Sequence, residues 1–302
     1  MRPKISVLLI NYDSQDLMLM SLRSLFPDGV PDNTEVLVVD NASKEGLPLK
    51  VVQEFPRTRL FISEENLGFA KAANFGIRES RGKYVILVNP DTLGRADTVD
   101  KLVRFMDDHP EAAGVAPQAY YMTGEFQPVA RRFITIGYVF FGRRSAFHRL
   151  MPNNPFTRRY LYLDIEGATE PIEVEAVIGA FVCFRRKAFL EVGGFDERFF
   201  FYAEDIDLCK RLQEKNWRLF LLPDAKIIHL YGGSRRKIHL FSEYHRMKAF
   251  YKFFSKHFWQ LRLGNPMLGL GLVGMVGAMM FSALFGAEPK EPSWIRDRKR
   301  KK

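Results

Sequence analysis

Short apolar, β-branched runs alternate with amphipathic stretches through the first third of the chain. Residues 5–10, 36–39, 60–62 and 84–88 predict strands, and residues 14–25, 68–79 and 97–107 predict helices between them. That alternation predicts an α/β fold with a mainly parallel sheet and crossover helices on its flanks. The unbroken run Val85-Ile86-Leu87-Val88 predicts a sheet covered on both faces. After residues 113–118 the pattern becomes irregular. Residues 174–178 and 181–185 then predict a hairpin around Gly179-Ala180, followed by a helix at 186–192. Strands are expected at 219–222 and 226–230, and a helix at 241–258 with an aromatic and a basic face.

Polar clusters follow each of the first four strands: Asn11-Tyr12-Asp13, Asp40-Asn41-Ala42-Ser43, Glu64-Glu65-Asn66-Leu67-Gly68 and Asn89-Pro90-Asp91. Each alone reads equally as a turn or an N-cap. In a parallel sheet all four share the carboxyl edge, where ligands bind in such folds. A second concentration of charge, Glu204-Asp205-Ile206-Asp207, follows the aromatic run Phe199-Phe200-Phe201-Tyr202. Two readings stay open on these residues alone: the carboxylates cap a helix and complement its dipole, or one of them is a general base toward a hydroxyl in a partly dry pocket.

Charge changes the picture at the carboxyl end. The 302 residues carry a net charge of +10, but residues 1–230 hold 30 basic and 31 acidic side chains while 231–302 hold 15 basic and 4 acidic. Residues 263–287 contain no ionisable side chain, and from Met267 onward they are nearly all apolar, about long enough for a bilayer core of roughly 30 Å. Basic residues flank this stretch on both sides, Lys248, Lys252, Lys256 and Arg262 before it and 296–302 after it, so a span, a re-entrant hairpin and an interfacial helix all remain open. Membrane contact accounts for the excess charge better than nucleic acid does. Between 126 and 163, seven arginines interleave with aromatics and no acidic residue occurs; such a segment suits phosphates, a lipid interface or a solvated loop. Two cysteines, Cys183 and Cys209, offer neither a disulfide framework nor zinc spacing. The apolar run at 5–10 is too short for a secretory signal, which places the expected domain on the cytoplasmic side.

Seven runs in order, spanning about residues 4–258, are similar to the family 2 glycosyltransferases, in the bacterial branch that includes rhamnosyltransferases. They are Ser6-Val-Leu-Leu-Ile-Asn11-Tyr12, Val38-Val-Asp40-Asn41-Ala-Ser43, Glu65-Asn66-Leu-Gly68-Phe-Ala, Val88-Asn89-Pro90-Asp91-Thr92, Gly193-Gly194-Phe195-Asp196-Glu197, Tyr202-Ala-Glu204-Asp205-Ile-Asp207-Leu and His229-Leu-Tyr-Gly232-Gly233-Ser234. The resemblance implies a GT-A fold, Rossmann-like, in a domain of residues 1–240. Residues 241–302 would add the basic and aromatic helix, the membrane-associated segment and the basic tail. It further implies an inverting glycosyltransferase at the cytoplasmic face of the inner membrane, moving a sugar from a nucleoside diphosphate donor to a lipid-linked or polysaccharide acceptor, with dTDP-rhamnose favoured and a UDP- or GDP-hexose the alternative. On this reading Asn11, Tyr12, Asp40, Asn66 and Asn89 line the nucleotide-sugar site. Asp91 and His229 hold a divalent cation, Mg²⁺ or Mn²⁺, while Asp205 is the base and Glu204 holds the acceptor. Many members carry two carboxylates where this chain has Asn89-Pro90-Asp91, so weaker metal affinity is expected. Asn216 stands where relatives often have glycine, and asparagine tolerates the left-handed cap that position needs.

A sugar nucleotidyltransferase would want a glycine-rich, basic loop after the first strand, and Asn11-Tyr12-Asp13-Ser14 supplies none. The non-enzyme alternative, a basic nucleic-acid-binding module, draws on residues 126–163 and the tail; no nucleic-acid partner is expected.

Overall fold

A computed structural model of the chain describes residues 3–142, 151, 154–199, 202–230 and 239–257. The apolar segment at 263–287, the basic tail and Gly232-Gly233-Ser234 lie outside the described residues. Among those described, no helix is long and apolar enough to cross a membrane. The chain divides into two compact units, Met1–Arg131 with Glu166–Lys237, and Arg132–Ile165 with Ile238–Lys302.

The first unit begins with β1 (Ile5–Asn11), α1 (Gln15–Leu25), β2 (Thr34–Asn41), α2 (Leu49–Glu54), β3 (Arg59–Ser63), α3 (Gly68–Glu79), β4 (Tyr84–Val88) and β5 (Thr92–Leu93). It continues through α4 (Thr98–Asp108), β6 (Ala112–Tyr120), β7 (Phe126–Gln127) and β8 (Ala130–Arg131). The second unit contributes α5 (Ile136–Phe141) and α6 (Pro155–Tyr160). The chain then returns to the first unit as β9 (Ile172–Glu173), β10 (Ala176–Val177), β11 (Phe181–Arg185), α7 (Arg186–Glu191), α8 (Glu204–Glu214) and β12 (Arg218–His229), before α9 (His239–His257) in the second.

The main sheet runs β3-β2-β1-β4-β11-β6-β12-β5. β3, β2, β1 and β4 are mutually parallel, as their alternation with helices requires. β11 is inserted antiparallel between β4 and β6, with Phe181 opposite Val88 and Cys183 opposite Val115. β6 and β12 again point the way β4 does. All five residues of β4 and of β11 are buried, so both faces are covered. Close approach explains one glycine: a Cβ on Gly76 of α3 would run into Leu8 of β1.

The expected hairpin at 174–185 does not form. β10 pairs with β8 and β11 with β4 and β6. The backbone between them is used outward as well: Ile178 N–H donates to Val129 O at 3.0 Å, and Ala180 O accepts from Asn89 N–H at 2.8 Å. The two strands expected at 219–222 and 226–230 are one, interrupted by a register shift between Leu222 and Lys226 where Pro223 falls. α8 closes on Asn216 at φ 62° with Trp217 N–H donating to Leu212 O at 3.1 Å, the left-handed cap expected there.

Two consecutive arginines at the end of β11 join helices to the sheet. Arg185 is buried and donates to the carbonyls of Met106, His109 and Ala112 at 2.7–3.0 Å, taking the exposed end of α4. Arg186 donates to Ile77 O and Arg78 O at the end of α3. Within the second unit, Tyr138 stacks on Tyr160 at 3.6 Å and Phe141 on Phe156 at 5.0 Å, so α5 and α6 meet through rings. α9 buries Ala249, Phe250, Phe253 and Phe254 and exposes Lys248 and Tyr251.

Replacing Arg185 with Met is expected to destabilise the protein by about 3 kcal/mol, because buried carbonyls lose a charged donor. Urea unfolding measures it; a change below about 1 kcal/mol contradicts the assigned role.

Candidate active site

The parallel strands place Asn11, Asp40, Asn41 and Ser63 at one edge, followed by the turn after β4. Because β11 is antiparallel, its beginning rather than its end reaches that edge. The Gly179-Ala180 turn therefore sits beside Asn89. β12 ends there with His229, paired across to Thr92.

At the β1–β2 end, a closed set of bonds fixes the loops. Asn11 Nδ2 donates to Asp40 Oδ1 at 2.7 Å and to Ser43 Oγ at 2.9 Å, while Ser43 donates through Oγ to Asp40 Oδ1 at 2.7 Å and through its amide to Asp40 Oδ2 at 3.1 Å. Asn11 and Asp40 are buried; Tyr12, next in sequence, is 38% exposed. Asp13 and Ala42 both adopt positive φ, at 52° and 60°, as the chain leaves each strand. Asn66 is exposed, and its Oδ1 accepts from Asn41 Nδ2 at 3.2 Å and from Gly68 N–H at 2.9 Å. Ser43 and Asn41 were not singled out in the sequence, although both belong to the polar run after β2.

Asn89 O accepts from the amide and hydroxyl of Thr92, at 3.1 and 2.7 Å, in a tight turn that carries Pro90 and Asp91. Asn89 itself is half-buried. Asp91 is buried, its carbonyl accepts from Leu230 N–H at 2.8 Å, and its Oδ1 lies 3.5 Å from Nε2 of His229. Residues 138 positions apart in the chain thus present one oxygen and one nitrogen to the same point. Among the described residues no third His, Cys, Asp or Glu joins them in a metal-holding group. Together they offer one carboxylate oxygen and one imidazole nitrogen, donors that would suit a divalent ion.

Asp205 lies in the first turn of α8, with Glu204 before it. The helix is entered through two consecutive left-handed non-glycine residues, Tyr202 at φ 71° and Ala203 at φ 64°, a strained elbow that surrounding structure must enforce. Asp205 Oδ1 accepts from Ile206 N–H at 2.8 Å and Oδ2 from Gly179 N–H at 3.3 Å. Burial raises this carboxyl above its ordinary value, opposed by those amides and by the positive charge of Arg131. Asp207 serves elsewhere: it is fully buried and accepts from Arg211 Nε at 2.8 Å, while Arg211 donates to Val192 O and Gly194 O. From the other side Asn74 holds the same loop, accepting from Phe195 N–H at 2.8 Å and donating to Phe195 O at 2.9 Å. Gly194, at φ 73° and with Asn74 Oδ1 only 2.5 Å from where a Cβ would lie, admits no side chain. Both cysteines are buried thiols, and Cys209 is pushed up to about 12 by burial, which removes them from nucleophilic chemistry.

Residues 6–193 match the family described as Glycosyl transferase family 2, and residues 159–232 match one described as the N-terminal domain of galactosyltransferase. The chain belongs to glycosyl transferase family 2. Among curated proteins similar to it is an N-acetylglucosaminyl-diphospho-decaprenol L-rhamnosyltransferase of Mycobacterium tuberculosis, 32% identical over 205 residues that make up 64% of this chain and 66% of that protein. The chain thus spans just under two thirds of that relative's length. The rhamnosyltransferase WbbL of Escherichia coli is 23% identical over 74% of this chain and 82% of its own. Of solved structures, the mannosyltransferase PcManGT of Pyrobaculum calidifontis, in complex with GDP-Man and Mn²⁺, superposes with a TM-score of 0.58 at 20% identity, over 96% of this chain and 77% of that one. GalNAc-T7 with UDP, GalNAc and Mn²⁺ gives 0.60 at 14% identity, over 84% and 48%. These likenesses establish the α/β GT-A fold with its mainly parallel sheet.

The raised carboxyl carries a sign for stability. Ionising Asp205 costs folding free energy, a cost absent below the ordinary carboxylate range of about 4 and complete above the raised value. Asp205→Asn is therefore expected to melt higher than the wild type at neutral pH, with the difference shrinking as pH falls toward that range. Melting curves across pH read this; a variant less stable than wild type at neutral pH contradicts it.

Proposed function

We propose that the protein is an inverting glycosyltransferase moving a sugar from a nucleoside diphosphate to a hydroxyl of a lipid-linked or polysaccharide acceptor, with L-rhamnose from dTDP-rhamnose the favoured donor. The family supports the reaction class, and the names of the mycobacterial and E. coli relatives support rhamnose and a lipid-linked acceptor. One observation carries the site assignment. Asn89 N–H bonds Ala180 O, and the adjacent Gly179 N–H bonds Asp205, so the two residues Gly179 and Ala180 bridge the turn of Asp91 to the seat of the base.

In this reading Asp205 takes the acceptor proton as the acceptor oxygen forms its bond to the anomeric carbon. The bond from that carbon to the diphosphate breaks on the opposite face, the diphosphate leaves with the electron pair, and configuration inverts. Glu204 holds the acceptor. Asn11, Tyr12, Asp40, Asn66 and Asn89 form the nucleotide-sugar side, where the buried Asn11–Asp40 pair shapes the loops and exposed Tyr12 is available to a base. Asp91 and His229 would hold Mg²⁺ or Mn²⁺, which supplies neutralising charge to the diphosphate. The neutral charge of residues 1–230 favours this over a nucleic-acid module. Residues 1–240 would carry the chemistry. Residues 241–302, with the excess positive charge and the uncharged stretch at 263–287, would keep the enzyme at the cytoplasmic membrane face.

A screen of dTDP-rhamnose against UDP- and GDP-hexoses, reading nucleoside diphosphate release with and without Mn²⁺, tests the reading. Asp205→Asn is expected to bind donor normally and to lose turnover by about 10²- to 10⁴-fold. Asp91→Ala is expected to weaken metal-dependent donor binding at least about tenfold. Full turnover by Asp205→Asn, or donor affinity indifferent to Asp91 and metal, rejects the assignments.

A further inference from the structure

Gln127 was not singled out in the sequence. It ends the short strand β7, is 3% exposed, and its Oε1 is buried without a hydrogen-bond partner among the described residues. The neighbouring buried amide, Gln118, is engaged, donating through Nε2 to Ala119 O at 2.9 Å. A buried carbonyl oxygen with no donor weakens the fold unless something else reaches it, and such atoms in a native protein have a cause.

Strand register fixes where that amide stands. Ala119 of β6 pairs with Ile227 of β12 on one side and with Gln127 on the other. β7 thus takes the side of β6 that β11 occupies nearer its start, at Cys183 opposite Val115. Partners across a ladder share a face, as do residues two apart along a strand, so Gln127, Ala119, Ile227 and His229 all project from one face of the sheet. Two strand spacings and two residues of rise separate Gln127 from His229, roughly 12 Å between Cα atoms. In the other direction Val129 O, two residues on, accepts from Ile178 N–H at 3.0 Å, and the next amide, that of Gly179, reaches Asp205. Gln127 therefore lies on the strand path between the Asp91–His229 pair and the seat of Asp205.

We propose that the Gln127 side-chain oxygen accepts a hydrogen bond from a hydroxyl of the sugar being transferred, which makes Gln127 a specificity-determining residue. This rests on the reading of Asp91 and His229 as the diphosphate side and of Asp205 as base. A sugar attached to that diphosphate and turned toward Asp205 lies over this stretch of the sheet edge, and a hydroxyl is the donor that the oxygen lacks. The terminal amide torsion is broad and two-fold, so a small rotation turns the oxygen to the ligand. A site built to bond a hydroxyl discriminates strongly against the analogue without it.

The test is a double-mutant cycle in kcat/KM: wild type and Gln127→Met, each with dTDP-rhamnose and with its 2-, 3- and 4-deoxy analogues. With dTDP-rhamnose the variant is expected to lose at least about tenfold. With one of the three analogues wild type loses a similar factor and the variant loses no further, so the two agree within about threefold. Affinity for dTDP alone stays within about threefold of wild type, and the variant melts no lower, because an unsatisfied oxygen has been removed. Gln127→Leu takes the place of Gln127→Met if the longer side chain does not fit. An equal loss with all donors, a weakened hold on dTDP, or a melting temperature lowered in both variants assigns the amide to structure or to a buried water and overturns the proposal. If wild type turns over a UDP- or GDP-hexose instead of dTDP-rhamnose, deoxy analogues of that donor replace these and the same outcomes decide. Turnover of no sugar nucleotide rejects the transferase reading and the proposal with it; turnover without coupling at any hydroxyl rejects the role of Gln127 alone.

Discussion

The site depends on one inverted strand. In a wholly parallel sheet only strand ends reach the carboxyl edge, and the loops after β1, β2, β3 and β4 do so here. β11 runs the other way between β4 and β6, so the turn before it arrives at the same edge. Its two peptide groups are then divided between partners: Ala180 O accepts from the amide of Asn89, and Gly179 N–H reaches Asp205. Register pairing of five residues between β11 and β4 sets where that turn stands, and slipping by one residue would turn every β11 side chain to the other face of a sheet buried on both sides. The arginines ending β11 reinforce the register by taking the carbonyls at the ends of α4 and α3.

Around that turn, polar groups are held by opposing tendencies. Asp205 is drawn toward its neutral form by burial and toward its charged form by backbone amides, those of Ile206 and Gly179 foremost, and by Arg131. The elbow at Tyr202–Ala203 adds backbone strain before the helix starts, and the loop leading to it is pinned by Asn74 on one side and by Arg211 on the other. Asp91 and His229 form the second focus, 3.5 Å apart and both buried. Stability is spent here on holding charge in place, which is the usual physical arrangement of a catalytic site rather than of a core.

Local patterns in the sequence carried the elements that local physics decides. β4 and α3 start and end where the apolar runs and periodicity place them, and Asn216 takes the left-handed cap that its residue type permits. Long-range pairing was not legible. Two apolar runs around Gly179-Ala180 look like a hairpin because nothing local records that Val129 and Asn89 use the intervening backbone. Pro223 divides β12 in the sequence, yet a bulge absorbs it. Asp207 stood with Glu204 and Asp205 in one acidic cluster, and only the fold assigns it to Arg211. The meeting of Asp91 with His229 came from resemblance to a family, since no spacing rule joins two residues so far apart in the chain.

The proposed transfer requires that the turn bearing Asp91 and the helix bearing Asp205 face the same bound sugar. Paramagnetic broadening measures this directly: Mn²⁺ is added with a nucleoside diphosphate to protein carrying carbon-13 in its aspartate carboxyls, and the Asp205 resonance is followed. The account predicts that this line broadens with Mn²⁺, stays sharp with Mg²⁺, and is spared in Asp91→Ala. An Asp205 line left sharp in the saturated Mn²⁺ complex would contradict it.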